Sequence, residues 1–364
     1  MIIQIQPWIN ELELEELTKV IHSTFITENS MNKEFELMTL NLTGAKHAIS
    51  VANGTLGLYC ALLALEIGPG DEVLVPDMTF IASANAVIMA GAKPVLCDID
   101  QDTLGINISK LASKVTDKTK AIMPVHLYGN TSQMDSILKF AKVHKLRIIE
   151  DAAQGVGVHY KGQHVGTFGD IGILSYYGNK TITTGEGGII LTNDEDLAKI
   201  CYRLKNHGRD QKGSFKHDYI GFNFSFTDLQ AAVGVSQMKK LPEILRRKEE
   251  IFNKYYSQLS DIDELSFYKI NNQEKPVYWF TSLSFKKRDD LAEFLLKEGV
   301  QTRRFFYPLH LQPCYQNSNK IIKEGSFKVS KEIYDTGISL PSSYVLKDEE
   351  QDYVIQKIKK FFKC

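Results

Sequence analysis

Lys180 stands in the run GILSYYGNKTITTGEGGIIL, with Gly178 and Asn179 before it, Thr181, Thr183 and Thr184 after it, and no other Lys or Arg close by in sequence. The apolar segments on either side read as β-strands, so the lysine falls on a turn between buried elements. Partial desolvation there lowers the pKa of an amine and frees its lone pair for a carbonyl carbon, which makes Lys180 a candidate Schiff-base amine. Taken alone, a structural lysine is the plainer reading of such a turn. The upstream run IIEDAAQGVG shifts the balance. Glu150 and Asp151 close an apolar run at a strand end, where a carboxylate is costly without a cation or donor beside it. A protonated pyridine nitrogen is one such partner, and pairing keeps the ring an electron sink. Gln154, three residues after Asp151, can donate to a ring hydroxyl. An acid that caps a loop is the alternative.

Further segments add chemistry. NGTLGL (53–58) falls at a strand-to-helix junction. There Gly54 permits close backbone approach, Thr55 adds a hydroxyl, and exposed N–H groups favour phosphate; a plain helix cap explains Asn53 or Thr55 as well. PDMTFIASANA (76–86) puts Thr79 and Phe80 after another strand. Phe80 there either lies over a planar cofactor ring or joins the core. Ser175, five residues before Lys180, is a candidate phosphate ligand. Asn223 lies in the aromatic loop of GFNFSFTDLQAA (221–232), ahead of a helix that starts near Thr227 or Asp228; a turn-forming role is its alternative. RRFFYPLHLQPCY (303–315) gathers Arg303, Arg304, Tyr307 and His310, which suits a sugar or diphosphate surface, although a lone histidine is more often structural. The joint order is the evidence: phosphate turn, stacking aromatic, strand-end acid, then serine and lysine.

The elements that position these residues alternate along the chain. HAISV (47–51), EVLVP (72–76), KPVLCDID (93–100), TKAIMPVHLYG (119–129), LRIIEDA (146–152), IGILSYY (171–177) and GGIILTN (187–193) read as strands. Helical patterns at 55–66, 80–90 and 132–145 separate them, after a first helix at 10–23. Near-continuous apolar strands divided by helices predict an α/β fold whose mostly parallel sheet is covered on both faces. In such sheets ligands bind beyond the carboxyl ends of the strands, where the polar motifs fall. The pattern changes after about residue 240, with a charged helix at 241–260, a strand at 277–285 and helices near 288–298 and 347–361. The expectation is a large ligand-binding domain over 1–245 and a smaller α+β domain over 246–364, with the charged helix as connector.

Bulk properties exclude several classes. The chain has 364 residues, 43% hydrophobic and 24% charged, with net charge −1. No basic footprint for a nucleic-acid backbone is present. No run approaches membrane-spanning length, and the N-terminus MIIQIQPWINELELEEL is acidic rather than signal-like. Five scattered cysteines (Cys60, Cys97, Cys201, Cys314 and Cys364) without CxxC spacing suit free thiols in a reducing compartment and argue against a zinc site. A cytoplasmic protein that binds neither nucleic acid nor membrane is expected.

With those residues in place, the chain resembles the DegT-type family of sugar-nucleotide aminotransferases, which depend on pyridoxal phosphate and have the aspartate-aminotransferase fold (fold type I). The resemblance runs from about residue 5 to the C-terminus and rests on EDAAQ, GNKTITTGEGG and GFNFSFTDLQAA. SYYGNKTITTGEGG and RRFFYPLHLQPCY are most similar to perosamine synthases and related viosamine-type 4-aminotransferases. The resemblance implies that Lys180 bonds the cofactor and later moves the proton, and that Asp151 pairs with the pyridinium nitrogen. It implies that Gln154 bonds the ring hydroxyl, Phe80 stacks on the ring, and Gly54, Thr55 and Ser175 hold the phosphate. Asn223 would reach the phosphate of the neighbouring subunit in a homodimer with shared sites. Tyr307, His310 and Arg304 would contact substrate. The implied reaction uses glutamate as amino donor, passes through pyridoxamine phosphate, and aminates a nucleotide-linked 4-keto-6-deoxyhexose. One departure is FNFSFTD, where perosamine synthases usually have YNYRMTN, so Ser225 replaces an Arg and Asp228 an Asn. Three other readings compete. A pyridoxamine-dependent sugar 3-dehydratase of this fold has histidine in place of the lysine. A non-catalytic regulator has no need of a reactive amine. A dinucleotide-dependent oxidoreductase needs GxGxxG, and NGTLGL has the wrong spacing.

Overall fold

A computed structural model describes residues 1–210, 213, 215–268 and 277–362. The large part is built on β1 (His47–Val51), β2 (Glu72–Pro76), β3 (Lys93–Cys97), β4 (Thr119–Ile122), β5 (Arg147–Asp151), a short hairpin of β6 (His159–Tyr160) and β7 (Gln163–His164), β8 (Ile171–Ser175) and β9 (Gly188–Thr192). Seven of these strands form one sheet in the order β1-β9-β8-β5-β4-β2-β3. Only β9 runs antiparallel to its neighbours in that sheet. The fold is therefore the expected α/β class with a mostly parallel sheet.

Successive strand residues face opposite sides, and both sides are covered. Helices α1 (Glu11–Ser23), α2 (Ser30–Thr43), α3 (Gly54–Ala64), α4 (Ala82–Met89), α5 (Met134–His144), α6 (Glu195–Lys205) and α7 (Asp228–Leu259) supply the cover. Ile173 and Ile190 pack with Leu58 and Leu62 of α3, Val87 of α4 and Cys201 of α6. Their neighbours Leu174 and Ile189 turn the other way, onto Phe35 of α2 and Val235 of α7. Burial on both faces is why these strands read as continuous apolar runs rather than alternating ones.

The smaller part holds β10 (Ser266–Phe267), β11 (Thr281–Ser284), β12 (Arg303–Arg304) and β13 (Gly337–Leu340), with α8 (Arg288–Lys297), α9 (Lys328–Thr336) and α10 (Asp348–Phe362). Its four strands form an antiparallel sheet in the order β10-β11-β13-β12. Leu283, Ile338 and Leu340 pack against Leu291 and Leu295 of α8, Val354 and Ile358 of α10, and Ile251 and Tyr255 of α7.

Three features differ from the sequence expectation. The connector expected over 241–260 is longer, one unbroken helix of 32 residues from Asp228 to Leu259 with Pro242 inside it. Helix α2 was not expected at all. Its N-terminus is capped from far away in sequence: Asp228 accepts hydrogen bonds from the backbone N–H groups of Asn29, Met31 and Asn32 at 2.7, 3.1 and 3.0 Å. The divergent Asp228 thus serves helix capping rather than a substrate. Contacts also cross the expected boundary. Ile2 bridges to Val300 of the smaller part, and Ile322 bridges to Val95 at the edge strand β3 of the large sheet.

Cys60, Cys97 and Cys201 are buried, Cys314 is exposed and all four are free thiols, while Cys364 lies outside the described residues. No helix among the described residues is long and apolar enough to cross a membrane.

Candidate active site

The sheet's parallel strands deliver their carboxyl ends to one edge, and the chemistry-bearing residues collect there. Asp151 ends β5 and is 5% exposed. Its Oδ2 accepts a 2.6 Å hydrogen bond from Ser83 Oγ on α4, and Oδ1 accepts one from Ala153 N–H at 3.2 Å. Ser83 is in turn 2.9 Å from Thr79 Oγ1. One residue back on the same strand, Glu150 is wholly buried and accepts backbone N–H groups from Gly166, Phe168 and Gly169 at 2.8, 2.7 and 2.7 Å, with His126 Nε2 3.0 Å away. The two acids of EDAAQ therefore divide the work: Glu150 locks the loop behind the sheet, and Asp151 is held at its edge. Gln154 is buried, and its amide oxygen accepts Tyr128 N–H at 2.7 Å. That bond fixes the amide orientation and reserves the NH2 as a donor.

Lys180 sits in the turn between β8 and β9, with its backbone N–H bonded to Tyr177 O at 2.9 Å. Two of the three threonines around it are structural. Thr183 Oγ1 donates to Tyr176 O at 3.1 Å, and Thr184 Oγ1 to Glu186 O at 2.8 Å. The Lys180 amine lies 4.6 Å from the ring centroid of Trp279. Trp279 in turn donates its indole N–H to Asn179 O at 2.8 Å. Lys248 of α7 pins this cover, donating to Trp279 O at 3.0 Å and Ser342 O at 2.9 Å. Loss of water around the Lys180 amine pushes its pKa down to about 8. The nearby Asp151 carboxylate opposes that drop, and the Arg303 guanidinium adds to it. Burial likewise lowers Lys248 to about 7.

The phosphate-type cradle lies where α3 meets β8 and β9. Asn53 is the helix cap, accepting Leu56 N–H at 3.0 Å, so the cap reading and the cradle reading describe one structure. Gly54 and Thr55 open the first turn, where N–H groups lack intrahelical acceptors. A Cβ on Gly54 would stand 3.1 Å from Ser175 Cβ, and one on Gly188 would stand 2.8 Å from Asn53 C. Both glycines are needed for the helix end to close on the strand pair. Ser175 Oγ has no hydrogen-bond partner among the described residues and remains available to a ligand. Phe80 is 54% exposed, its ring 5.9 Å from that of Phe306; it is not a core residue.

The other expected residues are placed differently. Tyr307 is part-exposed and packs edge-on to Tyr334 at 5.0 Å. His310 is tied to Asp77 at the end of β2, by Nδ1 at 2.6 Å and by its backbone N–H at 2.8 Å, and stacks on Phe327. Asp77 thereby anchors the loop, and His310 keeps only Nε2 for a ligand. Strand alternation separates the two arginines of β12. Arg304 pairs with Asp289 of α8 at 3.0 Å, whereas Arg303 lies 5.8 Å from the Phe280 ring and acts electrostatically on Lys180. The residue near the reactive amine is thus Arg303, not Arg304. Asn223 lines a separate cleft of about 370 Å3 with Glu28, Tyr202, Asn206, Arg209 and Ser225, and none of Lys180, Asp151 or Ser175 lines it.

Sequence reasoning missed Ser83, Trp279, Lys248 and the distinction between Arg303 and Arg304. A signal existed for Lys248. It shares one helical face with Ile244, Ile251, Phe252 and Tyr255, so a lysine stands in an apolar stripe.

The residues present fit pyridoxal phosphate. They offer a part-desolvated amine, a carboxylate held for a ring nitrogen, an oriented amide donor, an open aromatic face, and a helix N-terminus closed against a free hydroxyl. Known proteins agree. The DegT/DnrJ/EryC1/StrS aminotransferase family model matches residues 7–359. The chain is 37% identical to GDP-perosamine synthase of Escherichia coli O157:H7 over 98% of this chain and 97% of that protein. Its fold superposes on the aminotransferase TlmJ from Streptoalloteichus hindustanus with TM-score 0.93 and 30% identity, covering 100% and 99% of the two chains. Spr1654 from Streptococcus pneumoniae, solved in its PLP form, gives TM-score 0.92 and 27% identity over 98% and 97%. The site is that of a pyridoxal-phosphate enzyme, and the chain belongs to the DegT/DnrJ/EryC1/StrS aminotransferase family.

Proposed function

We propose that this chain is a sugar-nucleotide 4-aminotransferase of the perosamine type. It takes nitrogen from glutamate and places it on C4 of a nucleotide-linked 4-keto-6-deoxyhexose. The observation that carries the reading is the Lys180 amine, lowered to about 8 beside Asp151 at the carboxyl edge of the sheet. Such an amine exchanges protons near neutral pH, as a general acid–base must. Pyridoxal phosphate, when bound, supplies an aldehyde for the donor's nitrogen and an electron-poor ring that stabilises negative charge at the donor's α-carbon. Lys180 Nζ removes the α-proton from the donor, which leaves as its 2-oxo acid, and in the second half-reaction delivers a proton to the sugar's C4. The Asp151 carboxylate, fixed by Ser83, keeps the ring nitrogen protonated. Gln154 donates to the ring hydroxyl, Phe80 covers one ring face, and Gly54, Thr55 and Ser175 take the phosphate.

A cytoplasmic homodimer is part of the proposal. Asn223 belongs to a cleft apart from Lys180, so its contact with a cofactor phosphate requires a second copy of the chain. The four described thiols, all free, suit a reducing compartment. The 3-dehydratase reading is disfavoured by a lysine at 180, and the regulator reading by the desolvation of its amine.

The test is direct. The purified protein should be yellow, bleach with glutamate, and regain colour with one member of a panel of nucleotide-linked 4-keto-6-deoxyhexoses, giving an amino sugar by mass spectrometry. Lys180→Ala should lose borohydride-trappable cofactor and all turnover. Retained turnover in that variant, or failure of every amino acid to bleach the wild type, overturns the proposal.

A further inference from the structure

The reactive amine faces the ring of Trp279, just ahead of β11. The ring centroid lies 4.6 Å from Lys180 Nζ, and the indole N–H donates at 2.8 Å to the carbonyl of Asn179, the residue before the lysine. The tryptophan is held from several sides. Lys248 Nζ, buried on α7, donates to Trp279 O at 3.0 Å and to Ser342 O at 2.9 Å. The rings of Phe280 and Tyr128 stack on the indole at 4.1 and 5.9 Å. Gly129 lets this segment cross: its φ is +83°, and a Cβ there would stand 1.9 Å from Val277 O. Trp279 is 2% exposed, so the face it turns to the amine is shielded from water. Such a face does more than pack, because an indole attracts a cation and the attraction grows as water is excluded. Other charged or titratable groups surround the amine. Asp151 of β5 and Arg303 of β12 act on it with opposite signs, and Lys248 and Tyr344 line one narrow cavity with it.

Resting on the aminotransferase reading above, we propose that Trp279 is a positioning residue whose indole face holds the Lys180 ammonium while it carries a proton. When Nζ takes the donor's α-proton on its lone pair, the C–H electron pair stays on the donor's side and the nitrogen becomes a cation until the proton is given up. Burial and Arg303 disfavour that cation. Asp151 favours it, but that carboxylate is engaged by Ser83 and reserved for the ring nitrogen. The indole adds attraction of a different kind. A carboxylate competes for the ammonium's proton, whereas a ring face stabilises the charge and takes no proton, so the N–H groups stay free for delivery. The bond to Asn179 O ties the indole to the lysine's own turn and keeps ring and amine in one register.

Fluorine separates this attraction from packing, because it withdraws electrons from the indole face with little change of shape. The chain has two tryptophans, so in a Trp8→Phe background labelling with mono-, di- and trifluorotryptophan alters Trp279 alone. The midpoint pH of the apoenzyme's recombination with pyridoxal phosphate should fall with each added fluorine, by about one pH unit in all. A second readout needs no cofactor. The fluorine resonance of Trp279 in the same apoenzyme should titrate with a midpoint near pH 8, a step lost in Lys180→Met and separate from any step of Lys248 near pH 7. A midpoint indifferent to fluorine, or one that rises, overturns the proposal, as does a pH 8 step that persists in Lys180→Met. If Trp8→Phe does not fold, labelling of both indoles in the wild type carries the measurement, because the cation over the Trp8 ring is that of Lys240. A wild type that no amino acid bleaches defeats the aminotransferase reading itself. A wild type that bleaches, with a midpoint indifferent to fluorine, defeats only this inference.

Discussion

The protonation of Lys180 offers the sharpest test. Its amine falls from 10.5 to about 8, chiefly because its surroundings exclude water. That drop corresponds to about 3 kcal/mol of differential interaction between ammonium and free amine. At pH 7.5 a pKa of about 8 leaves about one quarter of the amine unprotonated, against about one part in a thousand at 10.5, a gain of roughly 200-fold in nucleophile. The apoenzyme's recombination rate with pyridoxal phosphate, followed by stopped-flow absorbance and confirmed by borohydride trapping at Lys180, reports that fraction. Between pH 7 and 10.5 the rate should rise with a midpoint near pH 8 and level off by about pH 9. Two variants test the sign of the field. Asp151 raises the Lys180 pKa and Arg303 lowers it. Asp151→Asn should therefore move the plateau to lower pH and Arg303→Met to higher pH. A rate that climbs tenfold per pH unit through pH 10 in the wild type, or shifts of the same sign in the two variants, would refute the reasoning.

Other outcomes follow from the same geometry. Ser83→Ala removes the 2.6 Å bond to Asp151; hydrogen bonds to charged groups are worth about 1.5–3 kcal/mol, so cofactor affinity by spectral titration should fall by about 10-fold or more. Gly188→Ala would drive a Cβ to 2.8 Å from Asn53 C, which is backbone, while Gly54→Ala meets only the Ser175 side chain at 3.1 Å; by thermal melting Gly188→Ala should be clearly the more destabilising. Asp228→Ala leaves three backbone N–H groups at the start of α2 without their acceptor and should cost about 2 kcal/mol by denaturant titration, with Asp228→Asn intermediate. Lys248 has a folded pKa of about 7 against 10.5 for the free side chain, so the unfolded chain binds the extra proton between those values. Stability of the wild type should rise with pH across that window by a few kcal/mol relative to Lys248→Met, and a parallel pH dependence of the two proteins would contradict the assignment.

The large sheet was legible because its strands are buried on both faces, which leaves runs such as EVLVP with almost no polar residues. Asp151 and Lys180 stood out as polar residues interrupting that pattern. Helix α2 was invisible for the opposite reason. Asn29 precedes it without a side-chain capping bond, and the acceptor that starts it, Asp228, comes from nearly 200 residues further along. The helix expected to start near Asp228 and the charged helix expected over 241–260 are one element: α7 runs through Pro242, because packing against α1 and α2 on one side and α10 on the other outweighs one lost hydrogen bond. Arg303 and Arg304 were indistinguishable in sequence. Alternation says that they face apart, but which one faces Lys180 is set by their pairing with Ser339 and Ile338 of β13. Trp279 reaches Lys180 across a hundred residues of chain, and no local pattern encodes such a contact.

The surroundings of Lys180 come from both parts of the chain, with opposite electrostatic signs. The large sheet contributes Asp151, which favours the ammonium, and the smaller part contributes Arg303, which disfavours it. The two parts therefore set the basicity of Lys180 against each other: Arg303 keeps a larger share of the amine unprotonated and able to bond the cofactor, while Asp151 favours the ammonium that must later return a proton. Removing both charges in an Asp151→Asn/Arg303→Met double variant should leave the pH profile of Lys180 closer to the wild type than either single variant does, and a double variant displaced further than both would show that the two fields do not oppose each other.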